Sequence, residues 1–573
     1  MSATYQTDVL VIGSGGAGCR AALEAFRAGA DVIIVAKGAF GKSGTTAFRV
    51  ADTAGYNFAD GIVDPNDSPE IHYQDIIKAG LGMTYEELAK ILSEEAMETG
   101  PYLEGLGVEF QKDPSTGRYI EVRGCFSTKP RMHVLKDHGE PIIKALEKEI
   151  NGHPIKIHEH TMITKLLVSN GTCFGAVGLD KEGEPVVFQA KTVIIAAGGA
   201  GQLFKYTLTP PDITGDGYAL GLSAGADLVN MEYMQVVVGT VNPTKNQLNA
   251  FLWCARPKLL NGSEEEFLGN YLPEGMTEDM VMEAKSTHFP FSTRDNSRFI
   301  EIAIQKEILE GRGTAQSGVY VDLTGINDEV VNTLPDDSPL PKVWPIVKEF
   351  MAQRGFKIET EPIQVGCFAH AINGGLKIDE WGRTTISGLY AAGEVAGGPH
   401  GADRLGGNML LTCQVYGARA GKDAALKADR SSYNQIPEEQ VKIEIARLLK
   451  MSGGEGMQKT DELKARLQDA MWKGVLVVRS EESLNKTLDE LKSLREEINN
   501  SSIASKDAVK ATLELENLID IGEVITRVAL FRRETRGSHY REDYPEIDPK
   551  WETKLLVRKN SETGLVIIKE NQS

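Results

Sequence analysis

The chain is short of three things. It has no apolar run of the roughly 18 or more residues that a membrane helix needs, so no membrane span is expected. It has only six cysteines, Cys19, Cys125, Cys173, Cys254, Cys367 and Cys413, and no two stand in a CxxC spacing. That argues against a disulfide framework and against an iron–sulfur or other metal centre in this chain. Positive charge is also scarce: 62 Lys and Arg face 81 Asp and Glu, for a net charge of −19. Such a surface repels phosphate backbones and anionic lipid, so neither nucleic acid nor a membrane surface is an expected partner. The N-terminus runs into an apolar strand at Asp8 without the basic start and apolar stretch of a secretory leader, and a cytoplasmic location is expected.

Glycine is abundant, at 59 of 573 residues. That is above the usual share of about 7 % and fits loops that approach a cofactor closely. The length predicts several domains. Residues 7–35 read as strand, glycine-rich turn, helix and strand, with Gly13-Ser14-Gly15-Gly16-Ala17-Gly18 at the turn. In a dinucleotide-binding βαβ unit the first glycine makes the tight turn, the second lets backbone N–H groups reach pyrophosphate, and the last lets helix pack on strand. The second strand ends in Ala36-Lys37, where an acid would normally hold ribose hydroxyls, so NAD fits poorly.

Two later stretches, 192–204 and 388–398, are again strands running into small-residue turns, without forming an internal repeat. From about 248 to 355 the text changes to longer loops, acidic runs and helices. From 437 it is nearly all helix-forming, with apolar residues at i, i+3 and i+4, and it ends in a polar tail and a predicted short hairpin. These changes place a first part of the cofactor domain at 1–245, a capping domain at 246–355, a second part at 356–432 and a helical domain with its tail at 433–573.

Several motifs together resemble the flavoprotein subunit of fumarate reductase and succinate dehydrogenase, a family that also includes L-aspartate oxidase. They are SGTTA at 43–47, AAGGAGQLF at 196–204, TGDG at 214–217, TRDNSR at 293–298, HAINGGL at 370–376, HGADRLGGN at 400–408 and RRETRGSHYREDYP at 532–545. The resemblance implies an α/β fold: a Rossmann-like FAD-binding domain interrupted by an α+β capping domain and followed by a C-terminal helical domain. It implies FAD as cofactor, held by Gly13, Ser14, Gly15, Gly16, Ala17, Gly18 and Lys37 at the adenosine diphosphate end. Ser43, Gly44, Thr45, Thr46, Ala197 and Gly198 would approach the flavin, Asp216 and Glu394 its hydroxyls, and Arg404, Met409 and Leu410 its ring. Respiratory members attach FAD through a histidine in the stretch matching KSGTTAF; this stretch has none, so non-covalent FAD is expected.

The chemistry implied is hydride transfer at a carbon–carbon bond beside a carboxylate. By the same resemblance Arg294 is the proton donor, with Arg298 an alternative, and His370 and Arg404 grip the substrate carboxylate. A planar guanidinium suits that task because it binds a carboxylate through two parallel hydrogen bonds. The family pairs with an electron-transfer partner chain, and any iron–sulfur cluster would sit there. His400 reads as structural, and Arg533, Glu534 and Arg536 as an internal ion-pair network or a partner surface.

One stretch departs from the family. Where succinate, fumarate and aspartate enzymes carry a histidine that grips a second carboxylate, this chain has Val237 in MEYMQVVVGT. The Thr-Glu pair expected shortly afterwards is replaced by a stretch holding Phe251, Leu252 and Trp253. A buried carboxylate without partners costs several kcal/mol. The substrate predicted is therefore an acid with one carboxylate beside the reacting bond and a less polar remainder. Three competing readings are amine oxidation as in L-aspartate oxidase, an adenylylsulfate reductase-like flavoprotein, and an electron carrier that has lost its substrate site.

Overall fold

The computed structural model describes residues 3–48, 54–135, 137–242, 244–248, 250–334, 340–433, 435–451, 460–500, 506–560 and 564–570. Strand β1 (Ala3–Ile12), helix α1 (Gly16–Arg27) and β2 (Val32–Val35) form the predicted βαβ unit. After it come β3 (Ala54–Asn57), β4 (Glu121–Val122), β5 (Met132–Leu135), β6 (Lys156–His158), β7 (Met162–Ser169), β8 (Thr172–Leu179) and β9 (Pro185–Ile195). The main sheet has the order β6-β2-β1-β9-β8-β7, and Leu389–Ala391 adds in parallel to β9. β1 lies parallel to both β2 and β9, so β1 is central and its Val9, Leu10 and Val11 are fully buried. A continuous apolar run is what a strand covered on both faces requires.

Helix α1 packs on Asn408–Asp429 at a spacing that glycine sets. A Cβ on Gly421 would stand 2.2 Å from the carbonyl oxygen of Ala21, and one on Gly417 2.8 Å from that of Ala17. The loop at 400–407 feeds this second helix, so the turns that start the two helices stand side by side. β3, β5 and β4 form a separate small sheet beside them.

The valine stretch is a strand, Met234–Asn242, with Val236, Val237 and Val238 at 0–3 % exposure. It pairs antiparallel with Ile363–Ile372 in a five-stranded sheet that also holds Asn246–Gln247, Val319–Asp322 and Lys258–Leu260. Strands from within 246–355 thus share a sheet with strands on both sides of that stretch. Helices Glu278–Lys285, Arg298–Leu309 and Leu340–Ala352 complete this layer.

Four helices follow: Glu438–Met451, Thr460–Gly474, Glu481–Asn499 and Lys506–Phe531. Ser480 and Ser483 form a reciprocal capping box at the start of the third. The indole of Trp472 donates to the Cys367 carbonyl at 2.8 Å and ties this bundle to the strand at 363–372. The predicted hairpin is Leu555–Asn560 with Gly564–Lys569. All six cysteines are free. Among the described residues no helix is long and apolar enough to cross a membrane.

Candidate active site

A cavity of about 690 Å³ runs from the glycine loop to the strand at 234–242 and the segment at 286–290. Its first end is a cradle for a phosphate-bearing ligand. Gly13 has φ +110°, and a Cβ there would stand 2.3 Å from the Ala196 carbonyl oxygen. A Cβ on Gly18 would stand 2.1 Å from the Gly13 carbonyl oxygen; Gly18 lets α1 begin against β1 without itself lining the cavity. Above Gly15 the space is open: its Cβ would meet only Thr46 Oγ1, at 3.9 Å. The first turn of α1 carries no acidic residue, so its N–H groups and dipole favour an anion. Ser14, Gly16, Ala17, Ser43, Gly44, Thr45, Thr46, Ala197, Gly198, Met409 and Leu410 line the same space. The buried Thr45 hydroxyl has no partner among the described residues, and the Gly16 N–H donates to Thr46 Oγ1 at 3.2 Å. Open backbone at Gly15, an uncapped helix start and an unspent hydroxyl suit the pyrophosphate and polar edges of FAD.

Lys37 and Asp216, both expected to serve the cofactor, are bonded to each other. Lys37 Nζ lies 2.7 Å from Asp216 Oδ2, 2.7 Å from Glu514 Oε1 and 2.6 Å from Thr214 Oγ1. Burial opposes the Lys37 charge, but the two carboxylates outweigh it and hold the ammonium above its ordinary range.

The other end of the cavity is built around Arg404, which is 6 % exposed. Its Nη1 donates to the Leu405 carbonyl at 3.0 Å and its Nη2 to Gln235 Oε1 at 2.7 Å; its Nε has no partner among the described residues. A guanidinium has five N–H groups, so three remain for a ligand. Gln235 also donates from Nε2 to the Arg404 carbonyl at 3.2 Å and fixes the loop as well as the side chain. His370 reaches the cavity through a break in register. Gln235 pairs with Ala371 and Val236 with Ala369, so His370 is the extra residue of a β-bulge. Bulges re-aim side chains in this way. Burial, with the nearby Arg404 charge and His138, pushes the His370 imidazole down to about 3, so it is a neutral hydrogen-bonding group. Burial pushes the Glu394 carboxyl up to about 7 against the Ile372 N–H and Arg404. His400 is buried, and its Nε2 lies 3.3 Å from Thr412 Oγ1.

Arg294 stands behind the cavity wall. Its Nε is 3.4 Å from Asp403 Oδ2, its Nη2 donates to the Ala79 carbonyl at 3.0 Å, and its guanidinium lies 4.4 Å over the Phe126 ring. Asp403 also accepts from Ser292 Oγ at 2.6 Å, and burial pushes its carboxyl up to about 6. Arg298 donates to the Thr293 carbonyl and is not on the cavity wall. Val237 and Phe251 do line the cavity, whereas Leu252 and Trp253 are 1 % exposed and pack into the core.

Gln235, His138, Arg123 and His288 are among the polar lining residues that the sequence reading did not assign. His138 (φ 64°) follows Asp137 (φ 59°), two left-handed residues in succession between β5 and the helix Glu140–Asn151. His288 directs its ring nitrogens at the Pro290 carbonyl (2.9 Å) and Asp295 (3.0 Å) instead of into the cavity. The tail network uses Arg532 and not Arg533. Arg532 bridges Glu232 and Glu534, Glu534 bridges Arg536, and Arg533 is exposed.

A family model described as FAD binding domain matches residues 8–410, and one described as Fumarate reductase flavoprotein C-term matches residues 464–572. Among curated proteins the chain is 37 % identical to a fumarate reductase (CoM/CoB) polypeptide of Methanothermobacter marburgensis, covering 99 % of each. It is 28 % identical to the L-aspartate oxidase of Yersinia pestis, over 95 % of this chain and 97 % of that one. Among solved structures, FrdA of the E. coli quinol fumarate reductase matches with a TM-score of 0.82 at 25 % identity, covering 99 % of this chain and 97 % of that one.

Proposed function

The chain belongs to the fumarate reductase and succinate dehydrogenase family of FAD-binding flavoproteins, and from that premise we propose that it reduces a carbon–carbon double bond beside a carboxylate. Bound non-covalently in the cradle, FAD supplies the hydride chemistry. Arg404 and the neutral His370 bind the carboxylate next to the reacting bond, and the guanidinium draws electron density from the conjugated alkene. Gln235 keeps Arg404 aimed. Arg294 is the proton donor, with Asp403 as the carboxylate that holds it and returns its proton. Arg294 does not line the cavity in this structure, so on this reading it approaches the substrate during turnover.

The observation that supports this reading is a buried Arg404 that lines the cavity with His370 and spends only two of its five N–H groups on the Leu405 carbonyl and Gln235 among the described residues. The substrate proposed is an unsaturated acid with one carboxylate at Arg404 and an apolar remainder against Val237 and Phe251. Electrons come from a separate protein, and an iron–sulfur subunit is the partner class that suits a chain without cluster-spaced cysteines. The name of the Methanothermobacter relative favours a second reading, in which fumarate itself is the substrate.

The test is anaerobic. Enzyme reduced with dithionite is mixed with fumarate or with aryl- and alkyl-substituted acrylates, and the return of the visible flavin band is timed. Fast reoxidation by a monocarboxylate and slow reoxidation by fumarate supports the first reading; the reverse order supports fumarate. Val237→His should then improve fumarate relative to the acrylate. Arg294→Gln should abolish reoxidation by either acid while leaving FAD content unchanged; undiminished reoxidation would remove Arg294 from the mechanism.

A further inference from the structure

The small sheet beside the flavin cavity has a second face. Val122, Met132 and Val134 line the cavity, and side chains alternate along a strand, so Glu121 and His133 point away from it. They are register partners across β4 and β5. Asp60, three residues past β3, reaches the same place from the third strand. His133 Nε2 lies 3.2 Å from Asp60 Oδ2 and 3.6 Å from Glu121 Oε1, and one ligand atom from each residue falls within 4.8 Å of the others.

The polar atoms of this group are only partly partnered among the described residues. His133 Nδ1 is 3.1 Å from the Arg131 carbonyl oxygen, which can only accept, so Nδ1 carries the proton. Nε2 faces two carboxylates, Asp60 at hydrogen-bond distance and Glu121 just beyond it. A backbone carbonyl at one ring nitrogen and carboxylates at the other is an arrangement that can hold a metal-bound imidazole. The Glu121 side chain is only 2 % exposed, and its Oε1 has no hydrogen-bond partner among the described residues. Neighbouring cations are already engaged: Arg131 holds Asp67 and Asp75, and Lys129 holds Asp64. Asp60 is pinned by accepting the Ile62 N–H at 3.0 Å, and its side chain, 13 % exposed, is the route in from solvent. The Phe58 ring stacks on His133 with centroids 3.4 Å apart, and Tyr119 closes its edge, so the pocket is dry on the remaining sides.

We propose that Asp60, Glu121 and His133 bind one divalent first-row transition metal, of the zinc, manganese or iron(II) class. One imidazole and two carboxylates without a thiolate suit these ions. Calcium would want six to eight oxygen ligands, about twice as many donors as the group offers. The ion would join all three strands of the sheet whose opposite face walls the flavin cavity, so its role is to hold that wall. The three ligands stand 61 and 12 residues apart in the chain, which no local spacing rule detects.

The test uses the FAD-loaded enzyme. Metal content is measured by mass spectrometry after growth with supplemented metals. The protein is then stripped with a chelator and reloaded with cobalt(II), whose visible bands report an imidazole–carboxylate site. One metal per chain, cobalt bands, and a melting temperature raised by zinc are expected. Glu121→Gln and Asp60→Asn should keep the flavin spectrum while weakening cobalt binding at least about tenfold. Only trace metal in the purified enzyme, with no cobalt bands and no zinc-dependent melting shift, would overturn the assignment and leave a proton shared among the three groups. Cobalt bands unchanged in both variants would overturn it equally, by placing the metal elsewhere.

Discussion

Replacing Gln235 by Leu tests how the substrate end of the cavity is held together. The change keeps most of the bulk and removes two hydrogen bonds, the 2.7 Å acceptor for Arg404 Nη2 and the 3.2 Å donor to the Arg404 carbonyl. Gln235 is 3 % exposed and Arg404 6 %, so water does not simply take the place of the lost groups. A hydrogen bond to a buried charge contributes about 1.5–3 kcal/mol, which at ~1.4 kcal/mol per decade is a loss of roughly 10- to 150-fold. The loss should appear in carboxylate affinity, read by anaerobic titration of the oxidised flavin with a substrate analogue, and again in the rate of reoxidation of the reduced enzyme. Gln235→Glu is the sharper comparison. Its carboxylate would neutralise Arg404 from within and compete with the substrate anion, so it should melt higher than Gln235→Leu and still bind substrate poorly. If Gln235→Leu binds within about twofold of the wild type, a difference below ~0.5 kcal/mol, Gln235 does not position Arg404. Wild-type affinity in Gln235→Glu would mean that the substrate carboxylate does not sit on Arg404.

Gly13→Ala forces a side chain into φ +110° and 2.3 Å from the Ala196 carbonyl oxygen, so the purified variant should carry little FAD; a full flavin-to-protein absorbance ratio would contradict the cradle. Burial raises the Glu394 carboxyl to about 7, so the folded state keeps a proton that the unfolded chain has already released above its ordinary carboxylate range. Stability should therefore fall as pH rises from about 4.5 to about 7, by roughly 3 kcal/mol, and Glu394→Gln should flatten that slope in thermal melts; parallel slopes would refute the assignment. Glu534 is fully buried between Arg532 and Arg536, and Glu534→Gln should cost about 3–5 kcal/mol in denaturant unfolding because the buried Arg536 loses its counter-charge and Arg532 keeps only Glu232; a cost below about 1 kcal/mol would place the network's stabilisation elsewhere.

Local chemistry made parts of this molecule legible. The turn at Gly13 needs a residue that tolerates positive φ, the run at 236–238 is β-branched and apolar, and the bundle after 437 repeats with the helical period. Each of these is a constraint within a few residues, and each appears as the element expected. The motifs carried the family and the residue types of the site. They did not carry side-chain placement. Arg294 was named from its motif, yet its guanidinium turns to Asp403, 109 positions later, because the 400–407 loop stands against it in space. The ion pair between Lys37 and Asp216, 179 positions apart, has no sequence signal. His138 owes its position to two left-handed residues that no composition rule requires there.

Val237, where the resemblance leads one to expect a histidine, takes its meaning from register. Along Met234–Asn242 residues 235 and 237 face the same side, about 7 Å apart at the usual strand rise. Both line the cavity, so its wall changes from amide to isopropyl within two residues. The bulge lies on the partner strand, where it turns His370 toward the Gln235–Arg404 end and leaves Val237 paired with Phe368. In the proposed pose, a carboxylate on Arg404 and His370 would have its carbon chain running along Val237, which lines the same cavity. In that pose the second carboxylate of a four-carbon acid would lie near that isopropyl group and would lose several kcal/mol of solvation without an ion partner in return. A histidine at 237 would supply that partner on the same face of the same strand. On the proposed reading, selectivity between one- and two-carboxylate acids would depend strongly on this position, and Val237→His is the substitution expected to move it.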